Sequence, residues 1–72
     1  MKRYFIELTQ SNGDTVKTVE CYEASTELQA LAIFDELIKK AREEKIGDGA
    51  RICYGWNYDD SDFVEMWGRW QA

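Results

Sequence analysis

One stretch, residues 26–46, limits what this chain can fold into, because it alone carries a long run with the apolar spacing of an amphipathic helix. Its apolar side chains recur at intervals of three and four residues and form one stripe: Ala30, Leu31, Phe34, Leu37, Ile38 and Ala41. Ser25 or Thr26 is suited to cap the start. Gly47 follows the last apolar residue, where a left-handed C-cap favours glycine. We therefore expect a helix of about five turns that covers a β-sheet.

The segment before the helix has the pattern of a β-hairpin. Tyr4, Ile6 and Leu8 are spaced two apart, as on one face of a strand. Asn12 and Gly13 form the dipeptide most typical of a two-residue turn between strands. A turn at these two residues predicts three cross-strand pairs on the helix side: Tyr4 with Cys21, Ile6 with Val19, and Leu8 with Lys17.

The segment after the helix predicts a second hairpin. Alternate apolar residues indicate a third strand: Ala50, Ile52, Tyr54 and Trp56. A polar turn at residues 58–62 leads to a fourth strand at residues 63–70. We place Val64 and Met66 on the helix side, because the opposite choice would bury Glu65 and Arg69. That placement requires an odd-numbered loop or a β-bulge in this hairpin.

These elements predict an α+β fold with the order β-β-α-β-β. Seventy-two residues are enough for one domain, which we take to be residues 1–72. A four-stranded sheet with the amphipathic helix packed on one face buries both apolar sets. Two arrangements fit this order. One is the β-grasp, in which the first and last strands lie side by side in the middle, and the other is an antiparallel meander.

The residues that usually carry catalysis or bind metals are scarce. The chain has no histidine, so the side chain best suited to proton transfer near neutral pH is missing, together with the commonest metal ligand. An EF-hand loop starting at Asn57 would need glycine at its sixth position and glutamate at its twelfth, where the chain has Asp62 and Gly68. We therefore expect no catalytic residues, no metal site and no cofactor, and we expect that the protein is not an enzyme.

The two cysteines lie in the middle of different predicted hairpins. Cys21 and Cys53 have neither the Cys-x-x-Cys spacing nor any metal-ligand spacing. We expect two buried, reduced thiols. A disulfide between them would require their strands to be neighbours.

The charge of the chain argues against binding to nucleic acid. Its 14 acidic and 9 basic residues give a net charge of -5. A protein that binds nucleic acid usually has a basic face, because neutralising phosphates supplies much of the affinity. The acidic residues either keep the protein soluble or form a surface that docks on a basic partner. No apolar run is long enough for a signal peptide or a membrane span, so we expect a cytoplasmic protein.

Aromatic residues exceed what a small one-sided core can hide. The predicted register puts Phe5, Tyr22, Phe63 and Trp67 on the outer face, away from the helix, and aromatic residues are enriched at the centres of protein interfaces. Cross-strand packing among these rings would explain them equally well. As a binding surface we predict Phe5, Tyr22 and Trp67 together with the acidic turn at Asp59, Asp60 and Asp62.

Several segments together define the layout of this chain: residues 19–25 (VECYEAS), the Ala-containing helix, the glycine loop, Arg51-Ile52 and the closing Gly68-Arg69-Trp70. This layout resembles small phage-encoded proteins, among them several anti-CRISPR inhibitors. The resemblance implies a compact, non-enzymatic protein that blocks a host defence complex by occupying a binding surface. Because basic residues are scattered among the acids, we expect a blocker of a subunit surface and not a mimic of DNA. A homo-oligomer that uses the aromatic face to associate is the alternative, so we expect a monomer or a homodimer.

Overall fold

The structure, a computed structural model, describes residues 1–68 and confirms the α+β class and the β-β-α-β-β order. The elements are β1 (Arg3–Asn12), β2 (Thr15–Ala24), α1 (Glu27–Glu44), β3 (Gly49–Gly55) and β4 (Ser61–Gly68). The four strands form one sheet, and α1 packs on one of its faces. The core lies between them: Ile6, Leu8, Ala24, Ala30, Phe34, Leu37, Ala41, Ala50 and Ile52.

The ends of α1 differ slightly from the prediction. Thr26 is the N-cap, and its hydroxyl accepts a hydrogen bond of 3.2 Å from the backbone N–H of Gln29. At the other end the C-cap is Lys45, with a left-handed φ of 57°, so the prediction of Gly47 as the C-cap is wrong, although Gly47 also has a left-handed φ, of 76°. Gly47 serves a close approach instead, because a Cβ atom there would lie 2.7 Å from the carbonyl oxygen of Thr9 in β1.

The strand order is β2-β1-β3-β4, with every neighbouring pair antiparallel. This is neither the β-grasp order, which would place β1 beside β4, nor a meander. The burial of the strands agrees with this order: β1 is buried at five consecutive residues, 5–9, and β3 also has buried residues on both faces, as is typical of central strands. The largely exposed strands β2 and β4 take the edges.

The register of the first hairpin corrects the predicted pairs. The turn lies at Gly13 and Asp14, one residue later than expected, because Asn12 pairs with Thr15. Gly13 has a φ of 67° and Asp14 has no positive φ, which fits a II′-type turn with glycine first. Farther along, Leu8 pairs with Glu20 and Thr9 with Thr18, so one residue of β2 is left over as a bulge.

That bulge residue is Val19. From the bulge to the end of β2, each side chain lies on the face opposite to the one predicted. The observed pairs on the helix side are Tyr4 with Ala24, Ile6 with Tyr22, and Leu8 with Glu20. The predicted pairs of Tyr4, Ile6 and Leu8 with Cys21, Val19 and Lys17 are therefore wrong. A slip of one residue moves each side chain to the opposite face of a sheet, and a bulge has the same effect.

The second hairpin contains one of the two irregularities expected of it, a β-bulge. Ile52 pairs with Glu65 and Cys53 with Phe63, which leaves Val64 unpaired. The predicted faces are nevertheless wrong for Met66, which pairs with Arg51 on the outer side, and for Trp67, which packs against the core. Phe63, the partner of Cys53, lies on the outer face as predicted. Glu65 lies on the helix side but stays exposed, since β4 is an edge strand, so the desolvation cost that guided the prediction does not arise. Arg69 lies outside the described residues.

Candidate protein-binding surface

The outer face of the sheet contains a fully buried carboxylate. Glu7 is 0% exposed, although it lies on the side of β1 that α1 does not cover. Its Oε1 accepts hydrogen bonds from Tyr58 Oη and from Thr18 Oγ1, the latter at 2.6 Å. Its Oε2 lies 2.5 Å from the Nε atom of Arg51. A buried charge is tolerated in a protein only when it is paired and hydrogen-bonded, as this one is.

These contacts determine the protonation state of the network. Burial alone would raise the pKa of the Glu7 carboxyl, but hydrogen bonds from Arg51, Thr18 and Tyr58 outweigh it, and the pKa is held below its usual value. The hydrogen bond between Arg51 and Glu7 raises the pKa of the Arg51 guanidinium. Burial, followed by the hydrogen bond to Glu7, raises the pKa of the Tyr58 hydroxyl. At neutral pH the network therefore holds a carboxylate, a guanidinium and a neutral phenol.

Tyr58 folds the connection between β3 and β4 back over the outer face. Its ring meets Phe5 edge-on, with ring centroids 6.3 Å apart, and Phe5 is only 7% exposed. Three hydrogen bonds order this turn: Trp56 N to the Asp60 carbonyl at 3.1 Å, Asp60 N to Asn57 Oδ1 at 2.9 Å, and Ser61 Oγ to the Tyr58 carbonyl at 2.8 Å. These bonds order the turn internally, and the contacts of Tyr58 with Glu7 and Phe5 attach it to β1.

Beside this turn, β4 presents a group of exposed apolar side chains. Phe63, Val64 and Met66, here called the β4 patch, are 61%, 48% and 49% exposed. Phe63 and Met66 are the cross-strand partners of Cys53 and Arg51, so both lie on the outer face, and Val64 is the bulge residue. The guanidinium carbon of Arg51 lies 5.5 Å from the centroid of the Phe63 ring, close enough for a cation–π contact. The buried Glu7 network therefore also supports the patch.

The predicted set of aromatic anchors does not form one surface. Phe5 is on the outer face as expected but is buried beneath Tyr58. Tyr22 lies on the helix side, because of the Val19 bulge, and its hydroxyl donates to the Glu20 carboxylate. Trp67 also lies on the helix side, where its ring centroid is 5.4 Å from the guanidinium carbon of Arg42. The prediction that Phe5, Tyr22 and Trp67 share the outer face is therefore wrong.

Tyr22 instead borders a groove between α1 and the edge strand β2. The groove has a volume of about 670 Å³, and its walls include Ile33, Leu37 and Glu36. Across it, Lys40 Nζ lies 2.7 Å from Glu20 Oε2. This ion pair connects the helix to the edge of the sheet next to Tyr22.

The acidic turn is exposed, but one of its three acids belongs to the helix side of the sheet. Asp59 and Asp60 lie in the turn next to Tyr58. Asp62 is the cross-strand partner of Tyr54 and so belongs to the helix side. Of the three predicted acids, Asp59 and Asp60 thus adjoin Tyr58 in the turn beside the β4 patch.

Sequence reasoning missed the residues that organise this surface. Alternation along the strands places both Glu7 and Arg51 on the outer face. An acid and a base on the same face of neighbouring strands can form an ion pair, and this pattern could have predicted the contact. Tyr58 belongs to a loop, for which the spacing of residues predicts no direction. The position of Tyr58 on the outer face could be found only from the three-dimensional structure.

The cysteines follow the prediction only in part. Cys53 is buried, but Cys21 is exposed, so the expectation of two buried thiols is wrong for Cys21. Both thiols are free, and β1 lies between their strands. Burial raises the pKa of each thiol, and the Glu7 carboxylate adds to this effect in Cys21.

Within residues 1–68, no group of three or more His, Cys, Asp or Glu side chains is placed to hold a metal ion. The described part of the chain also lacks a helix with the length and apolar character required to cross a membrane. The chain matches no known protein family, no curated protein and no solved structure.

Proposed function

We propose that this protein is a small acidic protein-binding module, which docks on a partner through the β4 patch and the neighbouring acidic turn. The observation that carries the proposal is the exposure of Phe63, Val64 and Met66 on a single edge strand. Contiguous apolar side chains on the surface of a small protein are typical of interaction sites. Here they adjoin a turn that several hydrogen bonds hold in place, so little ordering would be needed on binding.

The charge around the patch favours a basic partner. Asp59 and Asp60 are exposed in the adjoining turn, and the chain as a whole has a net charge of -5. Complementary charge at the rim of an interface mainly speeds association, whereas buried apolar side chains supply most of the affinity. The partner surface that fits has an apolar centre and basic residues at its edge.

The same charge distribution favours a different protein over a second copy of this chain. In a two-fold symmetric contact through β4, both copies would carry the same net charge of -5 and the same acidic turn, with no basic partner surface. Like net charge on the two partners weakens association. A homodimer through the patch is the alternative function, and sedimentation at low protein concentration distinguishes the two.

The resemblance to phage-encoded inhibitors directs the proposal to a specific class of partner. We propose that the module acts without catalysis in the cytoplasm of a host cell, where it covers a subunit contact of a CRISPR–Cas complex. The support is the combination of small size, mixed but acidic charge and one apolar patch. Blocking a contact requires a shaped surface and no chemistry.

The test compares two exposed sites on the outer face. A Phe63→Ala/Met66→Ala variant removes the centre of the patch, and Val16→Ala, at a residue 56% exposed on β2, is the matched control. Binding to a panel of purified CRISPR–Cas complexes is measured by biolayer interferometry, and plaque formation by a targeted phage is scored in cells. We expect the double variant to lose about 2 kcal/mol or more of binding free energy and to lose inhibition, and the control to keep both.

Two results would contradict the proposal. If the double variant, shown by circular dichroism to be folded, bound and inhibited like the parent, the β4 patch would be the wrong surface. If the parent sedimented as a dimer and the double variant as a monomer, the patch would serve self-association. An Asp59→Asn/Asp60→Asn variant tests the role of charge, since it should bind more slowly and with a weaker dependence on salt.

A further inference from the structure

A second aromatic cluster lies on the helix side, at the end of the sheet where β1 begins. Tyr54 and Trp56 follow each other at a spacing of two, and the Tyr4 ring lies 4.5 Å from the Tyr54 ring between centroids. These three residues are here called the aromatic cage. The Lys2 ammonium lies 5.7 Å from the centroid of Tyr54 and also 5.7 Å from that of Trp56. One cation thus contacts two rings at once, at the distance typical of cation–π contacts.

The backbone explains how this cluster is assembled. Arg3 pairs with Gly55 across β1 and β3, so the next residue outward on each strand brings Lys2 opposite Trp56. The hydrogen bond from Trp56 N to the Asp60 carbonyl, 3.1 Å long, holds the backbone that carries the indole. Tyr4 packs against the core and supports the Tyr54 ring. The rings are therefore positioned by the fold, while Lys2 precedes the first strand and is exposed.

Charges near the cage also favour a cation. Asp62 is the cross-strand partner of Tyr54, so its side chain projects from the same side of the sheet. Burial raises the pKa of the Tyr4 hydroxyl, and the Glu27 carboxylate adds to this, which places a second negative charge nearby. Lys2 itself forms no ion pair with any carboxylate of residues 1–68. Within that part of the chain, the ring faces are the partners of its charge.

Lys2 is less restrained than the other cations that lie over rings. Arg51 is held by its ion pair with Glu7, and Arg42 belongs to α1. Lys2 lies outside every helix and strand, so displacing its side chain breaks no ion pair within the described residues and disturbs no element of the fold.

We propose that the aromatic cage is a binding site for an alkylammonium group presented by another molecule, and that Lys2 occupies it as an internal substitute when no ligand is bound. A trimethylated ammonium fits this chemistry best, because it is weakly hydrated and loses little on leaving water for the ring faces. The sources of such a group are a trimethyllysine side chain of a protein or a free choline-like molecule. The site is separate from the β4 patch, since it lies on the opposite side of the sheet.

The test measures binding of small cations to the full chain by NMR, following the indole N–H signals together with the backbone amide signals of residues 2–4 and 54–56, which remain in a variant that lacks the Trp56 ring. The probes are choline and its uncharged carbon analogue, 3,3-dimethyl-1-butanol, which has nearly the same shape. Trp56→Ala removes one ring, Lys2→Ala removes the internal occupant, and Leu28→Ala changes an exposed leucine on α1 as a control. N-acetyl-trimethyllysine methylamide and its unmodified lysine counterpart distinguish a protein source from a free cation.

The proposal predicts opposite changes in two variants. Choline should shift the Trp56 signal and the uncharged analogue should not. Lys2→Ala should bind choline roughly two- to fivefold more tightly, Trp56→Ala should bind it more weakly by at least the same factor, and Leu28→Ala should be unchanged. If trimethyllysine binds at least as tightly as choline, the ligand is a protein side chain, and if only choline binds, it is a free cation.

Three results would overturn the proposal. They are equal binding of the uncharged analogue, unchanged affinity in the Lys2→Ala variant, and an unchanged affinity in a folded Trp56→Ala variant. The outcome is independent of the proposed protein-binding function, because the Phe63→Ala/Met66→Ala variant should bind choline like the parent.

Discussion

Replacing Arg51 by methionine should destabilise the protein strongly, because it leaves the buried Glu7 carboxylate without its positive partner. Glu7 is 0% exposed and the Arg51 side chain 24% exposed, so water cannot readily replace the lost interaction. Removing one partner of a buried ion pair costs about 3–5 kcal/mol. Thr18 and Tyr58 still donate hydrogen bonds to Glu7, so we expect a loss of about 3 kcal/mol, at the lower end of this range. That is a large share of the stability expected of a domain of this size.

The effect should depend on pH in a direction that follows from the pKa of Glu7. In the parent this pKa lies below its ordinary value of 4.5, so the carboxylate contributes stability above that pH and the contribution is lost as the pH falls through the folded pKa. In Arg51→Met, the hydrogen bond and the positive charge of Arg51 no longer oppose the effect of burial, so the pKa of the Glu7 carboxyl should rise. Protonation then relieves the buried charge, so the difference in stability between parent and variant should shrink from pH 7 to pH 4.

The assay is urea unfolding followed by circular dichroism at both pH values. Arg3→Met is the matched control, because its ion pair with Glu23, 3.4 Å long, is about half exposed and should contribute no more than about 1 kcal/mol. A Glu7→Gln/Arg51→Met variant should recover part of the loss, since it removes the unpaired charge. If Arg51→Met and Arg3→Met had equal and pH-independent effects, the Glu7 network would not stabilise the fold as described.

Three further predictions concern the helix and the thiols. Phe34→Ala should lower the free energy of unfolding by about 3–5 kcal/mol, because Phe34 is 6% exposed at the centre of the core. A melting temperature within about one or two degrees of the parent would mean that α1 does not cover the sheet. Lys45→Gly should raise the free energy of unfolding by about 1 kcal/mol, because it relieves a left-handed φ of 57°, and an unchanged urea midpoint would argue against that conformation. In native protein, a maleimide reagent should modify Cys21 and leave Cys53 unmodified, whereas denatured protein should take up two labels; mass spectrometry showing equal native labelling of both would contradict their different burial.

The element order was predictable because it depends on local spacing. The apolar stripe around Phe34 needs no knowledge of the rest of the chain, and four of the six residues that the spacing selects are buried: Ala30, Phe34, Leu37 and Ala41. Of the other two, Ile38 is partly buried against the core and Leu31 is 37% exposed. The strand order was not predictable in this way. It depends on which strands are buried on both faces, and an alternating pattern cannot distinguish a charge that is neutralised, such as Glu7, from one that lies in solvent.

The candidate site was predicted poorly for a related reason. Single bulges at Val19 and Val64 decide which side Tyr22 and Trp67 face, and no residue pattern marked the position of either bulge. Exposure of Asp59 and Asp60 was predicted correctly, because acidic residues in a short turn remain in solvent whatever the register.

The two bulges have a consequence for how this sheet meets other chains. They lie in β2 and β4, the strands that form its two open edges. An open edge invites a foreign strand to continue the hydrogen-bonded ladder, which is the first step of fibril growth. A bulge interrupts the regular row of backbone donors and acceptors and bends the strand, so neither edge offers a long, flat template. The protein can therefore expose apolar side chains for recognition while its backbone resists strand-by-strand aggregation.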